Sequence, residues 1–504
     1  MFSIKGTFDA FCPPFLSKLK ARIEASPVAY RLARGAFWSL AGTLISRGLG
    51  LLAGILVARL LGKEGFGQLG MIQSTAGMFG IFAGFGMGLT ANKHVAEFRK
   101  NDPARAGRII AISSLVAWGT GGLMSVILFV LAPWLARTTL ASPEMSGLLQ
   151  TGALLLVLGG VNGAQTGALA GFEAFKTIAR VNLTTGLLAV PITLIGAWRW
   201  GVVGSVWALV INLAINCALN FLALRREASA AGVPLGYDEC FREWPILWKF
   251  SLPAVMGGAV TSPVIWGASA LLVNQADGYS QMGVYNAVMR IKIVPEMLLG
   301  IVLAPLLPVL SERFAARDVQ GYQKVAYSAF MLCLLVTAPV ALLQIGVPEL
   351  TTLLYGAEYS GNHRVVQWLM FELAVLGFFT PFGQMVASMN KMWFGFSHNL
   401  AWASLFGVFA WVLVPRFGAA GLAASPILAH LVCLGPSIAY VYRKERAFLV
   451  GMPLGKIALL LCGCAGLTYA GSRCLPNYGA FLVALAVIAA FILIQEKFVW
   501  RRNS

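Results

Sequence analysis

The chain has 504 residues, 58% apolar and only 12% charged, with a mean hydropathy of +0.76. Soluble domains carry about 25% charged residues, so the composition excludes a soluble globular protein and points to an integral membrane protein. The formal net charge of +18 follows membrane topology along the chain and argues against nucleic acid as a partner.

The amino-terminal tail, residues 1–32, lacks the apolar core of a signal peptide. Phe15, Leu19 and Ile23 recur at helical spacing with Lys18, Lys20 and Arg22 between them, a pattern that suits a short helix on the inner leaflet. A partly disordered tail is the open alternative. About fourteen hydrophobic segments follow, centred near residues 47, 78, 120, 156, 188, 211, 262, 296, 333, 375, 403, 428, 462 and 488, each near the length a spanning helix needs.

The first of these, residues 36–58, carries Arg47 at its middle. At about 1.5 Å per residue the guanidinium lies roughly 16 Å from either end, too deep for its side chain to snorkel out. A cation there costs about 2.5–3.5 kcal/mol on the mildest insertion scale. Arg47 is therefore expected to face a wet cavity or an internal partner, and the first of these implies an anionic substrate.

Placing the amino terminus in the cytoplasm assigns 28 of the 38 lysines and arginines to one side of the membrane. Seven fall on the other side: Arg59, Lys63, Arg137, Arg199, Arg364, Arg416 and Arg473. Arg47, Arg290 and Lys292 lie within spans. The positive-inside rule then puts both termini in the cytoplasm.

The chain repeats itself at an offset near 217. Trp200-Gly201-Val202-Val203-Gly204 matches Phe417-Gly418-Ala419-Ala420-Gly421, Asn182 matches Asn399, and Gln165 matches Gln384 at 219. Gly67 before one span pairs with Gly283 at 216. The fold class expected is an all-α polytopic membrane protein of two six-helix lobes, residues 33–223 and 244–445. A cytoplasmic linker, residues 224–243, joins them, and residues 446–504 add two further spans and a tail. Substrate sites of repeat-built transporters lie between the repeats. Ser46, Gly50, Gly54 and Ala58, and likewise Gly80, Gly84 and Gly88, form small-residue stripes expected to let helices pack closely.

The eighth span holds the densest polar signal, Arg290, Lys292 and Glu296. Arg290 and Lys292 lie about 160° apart around a helix, so they cannot both point straight into one cavity. Lys292 and Glu296 are i, i+4 and can pair, which leaves Arg290 as the more available cation. Arg47, Arg290 and Lys292 are the candidate substrate contacts, with Arg47 and Arg290 sharing a central cleft. Glu296 and Glu372 are candidates for coupling or ion pairing, Glu372 having no local partner in the sequence. Pro295, Pro305 and Pro308 are expected to bend or break this helix.

No G-x-x-x-x-G-K-[ST] loop or HExxH motif is present, and Gly278-Tyr279-Ser280-Gln281-Met282-Gly283 misses the nucleophile-elbow spacing by one residue. The eight cysteines are scattered, and Cys462 and Cys464 do not match zinc-ligand spacing. An enzyme is not expected, nor a cofactor or metal.

Arg34-Gly35-Ala36-Phe37-Trp38 leads into the first span, which ends Val57-Ala58-Arg59-Leu60-Leu61-Gly62 before Gly65-Phe66-Gly67. With Gly283-Val284-Tyr285-Asn286-Ala287 and Pro305-Leu306-Leu307-Pro308, this order resembles polysaccharide-export flippases of the multidrug/oligosaccharidyl-lipid/polysaccharide exporter superfamily. The resemblance covers nearly all of residues 33–445. It implies a V-shaped pair of six-helix bundles that works by alternating access in the bacterial inner membrane. The implied cargo is an undecaprenyl-pyrophosphate-linked oligosaccharide, and membrane lipids and glycan polymerases or ligases are the implied partners. Arginine suits that cargo because its planar fork donates two hydrogen bonds to phosphate. Two other readings stay open: a cation-coupled multidrug exporter of the same fold, and a non-transporting scaffold for glycan assembly.

Overall fold

The computed structural model describes residues 27–303, 306–389, 391–449 and 454–474, with isolated positions between 482 and 490. The tail helix expected near residues 15–23 and most of the last span lie outside the described residues. Every described element is helical, as a bilayer requires of a non-barrel chain, because a helix satisfies its own backbone hydrogen bonds.

The first half of the chain comprises α1 (Pro27–Gly84), α2 (Met87–Phe98), α3 (Pro103–Trp134), α4 (Met145–Gly171) and α5 (Phe175–Ala230). The second comprises α6 (Leu252–Val273), α7 (Gly278–Leu303), α8 (Leu306–Ala315), α9 (Val319–Gly346), α10 (Glu349–Tyr355), α11 (His363–Ser388) and α12 (Met392–Lys444). After them come α13 (Arg446–Leu449) and α14 (Leu454–Cys474). Helix α5 runs past the boundary expected at residue 223. Helix α7 continues through Pro295, and Pro308 lies within α8, while Pro305 lies outside the described residues.

Three of these helices are hairpins. Arg290 reaches both Gly54 and Gln73 of α1, positions roughly 28 Å apart on an unbroken helix; the break is at Gly62. Asn216 bonds Thr185 within α5 at 3.1 Å, and His398 meets Ser437 within α12 at 2.9 Å. Helix α5 turns at Gly201 (φ 58, ψ −133) and α12 at Gly418 (φ 55, ψ −132). A side chain is strongly disfavoured in that region, which is why glycine recurs there at an offset of 217. The helix caps repeat too. Asp102 accepts from the backbone N–H of Arg105 at 3.0 Å to start α3, and Asp318 from that of Gly321 at 2.9 Å to start α9. The Asp318 carboxyl is held below the usual range by that backbone bond and by Arg313 beside it.

The halves meet where the second limb of α1 crosses α7. A β-carbon at Gly67 would collide with the carbonyl of Tyr279, and one at Gly283 with the carbonyl of Lys63. Both pairs, Gly67 with Gly283 and Lys63 with Tyr279, are repeat mates at 216, so the contact is symmetric about the axis relating the halves. Around it, at the end of the molecule away from most basic residues, Arg59 donates to the Leu353 and Leu354 carbonyls at 2.7 and 2.8 Å. Tyr359 donates to the Ala58 carbonyl at 3.2 Å, and Asn274 to that of Thr139 at 2.6 Å. At the basic end the linker is tied down differently: Glu243, buried, accepts from Arg105 at 3.1 Å and Arg108 at 3.4 Å.

The small-residue stripes behave unevenly. Gly54 packs under Arg290 and Gly88 against Gly163, but a β-carbon at Gly50, Gly80 or Gly84 would meet nothing within 4 Å. Spacing finds stripes; it does not say which stripe has a neighbour. Replacing Gly283 by leucine must separate two backbones and is expected to cost at least the 1–3 kcal/mol of an overpacked contact, read as a lower midpoint of thermal unfolding in detergent. Gly80→Leu, with open space above it, should leave that midpoint unchanged.

Candidate functional site

The first limb of α1 and helix α7 run antiparallel, and between them lies a cavity of about 280 Å³ lined by Ser46, Arg47, Gly50, Leu51, Arg290 and Ile293. Arg290 is twelve residues along α7 from Gly278, hence about 18 Å from the end of that helix. The missing side chain at Gly54 makes room for its guanidinium, which lies against the α1 backbone. Its Nη2 donates to Gln73 Oε1 at 3.1 Å, and its Cζ stands 5.2 Å from the centroid of the Phe66 ring, within cation–π range.

Neither contact neutralises the charge. Among the described residues neither Arg290 nor Arg47 has a carboxylate partner, and Arg47 is exposed. Arg47 and Arg290 thus line one cavity, and among the described residues no carboxylate compensates either charge.

Lys292 goes elsewhere. It is 1% exposed, with Nζ 2.5 Å from Glu372 Oε2 on α11 and 3.5 Å from Glu296 Oε1 on its own helix. The local pairing with Glu296 is present, and the stronger partner, Glu372, is 80 residues away in sequence. A buried cation with two carboxylates carries a compensated charge, unlike Arg290 two residues before it. Glu372 is thus placed in an ion cluster between α7 and α11.

Two polar groups near Arg290 were not singled out from the sequence. Asn286, one turn earlier on the same face of α7, has a buried amide nitrogen without a partner, as does the Tyr355 hydroxyl. The Tyr355 ring lies 6.5 Å from Phe66, whose ring lies under Arg290. Asn286 stands in the polar run of the eighth span without a charge to mark it, and Tyr355 sits in short α10 beyond any expected span. The sole sequence signal for Asn286 was its i, i+4 spacing from Arg290. Both groups can donate a hydrogen bond, so among the described residues the neighbourhood of Arg290 offers donors and no carboxylate partner.

Comparison with known proteins agrees with this architecture. The chain is 24% identical over 412 residues to the lipid III flippase of Escherichia coli (strain K12), covering 80% of this chain and 96% of that protein, and matches that of Shigella flexneri equally. Among solved structures, lipid II flippase MurJ in an inward closed conformation superposes with a TM-score of 0.67 at 16% identity, over 92% of this chain and 99% of that one. An inward-facing MATE family multidrug transporter of the MOP superfamily gives 0.63 at 16% identity, over 81% and 98%. At such identities these two show the fold. The model of the polysaccharide biosynthesis protein family matches residues 32–314, more than half of the sequence, and the chain belongs to that family.

Proposed function

We propose that this protein is a flippase that carries an undecaprenyl-pyrophosphate-linked oligosaccharide across the bacterial inner membrane by alternating access, for polysaccharide assembly. The observation that carries the proposal is the pair of acid-free arginines, Arg47 and Arg290, on one mid-membrane cavity. A pyrophosphate supplies the missing negative charge, and each guanidinium can hold it through two parallel hydrogen bonds. Asn286 and Tyr355 add neutral donors, and the polyprenyl chain stays in lipid. The basic end faces the cytoplasm in this reading, supported by the positive-inside distribution, and the cavity then loads from the leaflet where the lipid-linked sugar is made. The likeness to lipid III flippases supports the same class of cargo.

Lys292, Glu372 and Glu296 have a different part in this scheme. They form the ion cluster through which a proton or cation gradient acts, because charging or neutralising Glu372 changes the tie between α7 and α11.

In proteoliposomes containing the lipid-linked oligosaccharide, Arg47→Ala and Arg290→Ala are each expected to lower translocation about 10- to 100-fold, the worth of one or two charged hydrogen bonds. Arg290→Lys should fall between wild type and Arg290→Ala, since an ammonium keeps the charge but not the fork. Unchanged transport in both alanine variants would remove the site assignment.

Glu372→Leu alone leaves Lys292 buried with only its longer pairing, to Glu296, and is expected to cost about 3–5 kcal/mol of stability. The double variant Lys292→Met, Glu372→Leu should regain most of that loss in thermal unfolding. If the cluster couples to a gradient, the double variant will still transport without responding to an imposed pH or sodium step.

A further inference from the structure

A second, larger cavity lies wholly within the second half. Its volume is about 710 Å³, inside the range of about 300–1,000 Å³ typical of small-molecule sites. It is walled by α6, α11 and both limbs of α12, with Phe379, Phe382, Trp393, Phe394, His398 and His430 supplying most of its rings. Helix α6 places it beside the other half: Met256 lines the cavity, and Gly258, two residues on, packs against Ile81 of α1. Along α11 its lining residues run from Leu376 to Ala387, about 6 to 22 Å beyond Glu372 toward the basic end. The cavity therefore opens below the level of Arg290, on the side from which the proposed substrate enters.

Its chemistry is mixed in a specific way. His430 is sandwiched between Phe379 and Trp402, with ring centroids 4.7 and 5.2 Å away. Its Nδ1 is buried without a hydrogen-bond partner. His398 is fixed by Ser437 at 2.9 Å, Phe394 is stacked on Tyr440 at 4.0 Å, and Asn399 and Thr380 add neutral polar groups. Rigid ring faces beside an unpaired nitrogen and an amide suit a molecule with apolar C–H faces and hydroxyl edges. A polyprenyl chain would cover the rings but leave the His430 nitrogen unpaired, an expensive state for a buried polar group.

We infer that this aromatic and histidine-lined cavity is a saccharide subsite, which receives sugar rings of the head group while Arg47 and Arg290 hold the pyrophosphate. The inference rests on the flippase reading above and adds to it the part of the protein that reads the glycan. Sugar faces lie on Phe379, Phe394 and Trp393, and a hydroxyl donates to or accepts from His430 and Asn399.

Two kinds of variant test it. His430→Leu removes the nitrogen and keeps apolar volume. Gly383→Leu adds bulk on the cavity wall, where a β-carbon at Gly383 meets nothing within 4 Å. Binding to the full-length protein is measured with undecaprenyl-pyrophosphate-linked oligosaccharide and with undecaprenyl pyrophosphate carrying no sugar. Both variants are expected to weaken the sugar-bearing lipid at least tenfold and to leave the sugar-free lipid within twofold of wild type, whereas Arg290→Ala weakens both. Wild-type affinity for the sugar-bearing lipid in both variants overturns the subsite. A parallel loss of the sugar-free lipid also overturns it, by assigning the cavity to the prenyl chain. Failure of the wild-type protein to bind either lipid instead overturns the flippase reading, and the subsite with it.

Discussion

The contact of Gly67 and Gly283 with the facing backbones of Tyr279 and Lys63 governs the arrangement of everything else. Two helices without side chains at the crossing approach to backbone distance, and lipid offers no competing apolar attraction, so close packing is what holds such helices together. Because the crossing lies toward one end, the first limb of α1 and helix α7 are free to separate beyond it, at Gly50 and below. The cavity between Arg47 and Arg290 is the space this separation leaves. Arg47 is exposed on that space, and among the described residues neither arginine has a carboxylate to compensate its charge.

The contrast between Arg290 and Lys292 shows how two neighbouring positions on one helix acquire opposite roles. Their separation of about 160° around the axis sends one toward α1, where no carboxylate among the described residues pairs with it, and the other toward α11, which has Glu372. A buried ion cluster contributes little net stability but is costly to break, so Lys292 ties α7 to α11 within the second half. Arg290 is held by a neutral amide and an aromatic face, contacts that orient a guanidinium while leaving its charge available.

Much of this was legible in the residues. Hydropathy located the helices because the bilayer imposes length and apolarity on each one. The repeat was visible at Gly201 and Gly418 because only glycine accepts the backbone of that turn, and at Gly67 and Gly283 because only glycine fits the crossing. Depth marked Arg47, and helical angle separated Arg290 from Lys292, but a cleft shared by the two arginines was legible only on the premise that the lobes face each other. What stayed hidden depends on contacts between distant segments. Glu372 looked partnerless because its cation comes from another helix. Asn286 and Tyr355 carry no local pattern marking them as unpaired, and the open faces of Gly80 and Gly84 are indistinguishable in sequence from the packed face of Gly88. Periodicity reports which residues share a face, not what that face meets.

Symmetry then bears on how such a molecule would change state. Groups on the axis relating the halves move least when the halves rock against each other, so the Gly67 and Gly283 crossing can persist through the proposed cycle. The bonds off the axis cannot: Arg59 to Leu353 and Leu354, Tyr359 to Ala58, and Asn274 to Thr139 all close the end away from the basic residues. Neutral hydrogen bonds contribute about 0.5–1.5 kcal/mol each and charged ones about 1.5–3, so opening that end costs several kcal/mol. Moving a two-state equilibrium from one extreme to the other needs about 5.5 kcal/mol of differential binding, an amount that two forked arginine contacts to a pyrophosphate are able to supply. The acid-free site and the hydrogen-bonded seal are matched in scale, so cargo binding can offset the loss of the seal only if both arginines grip more tightly in the open-ended state.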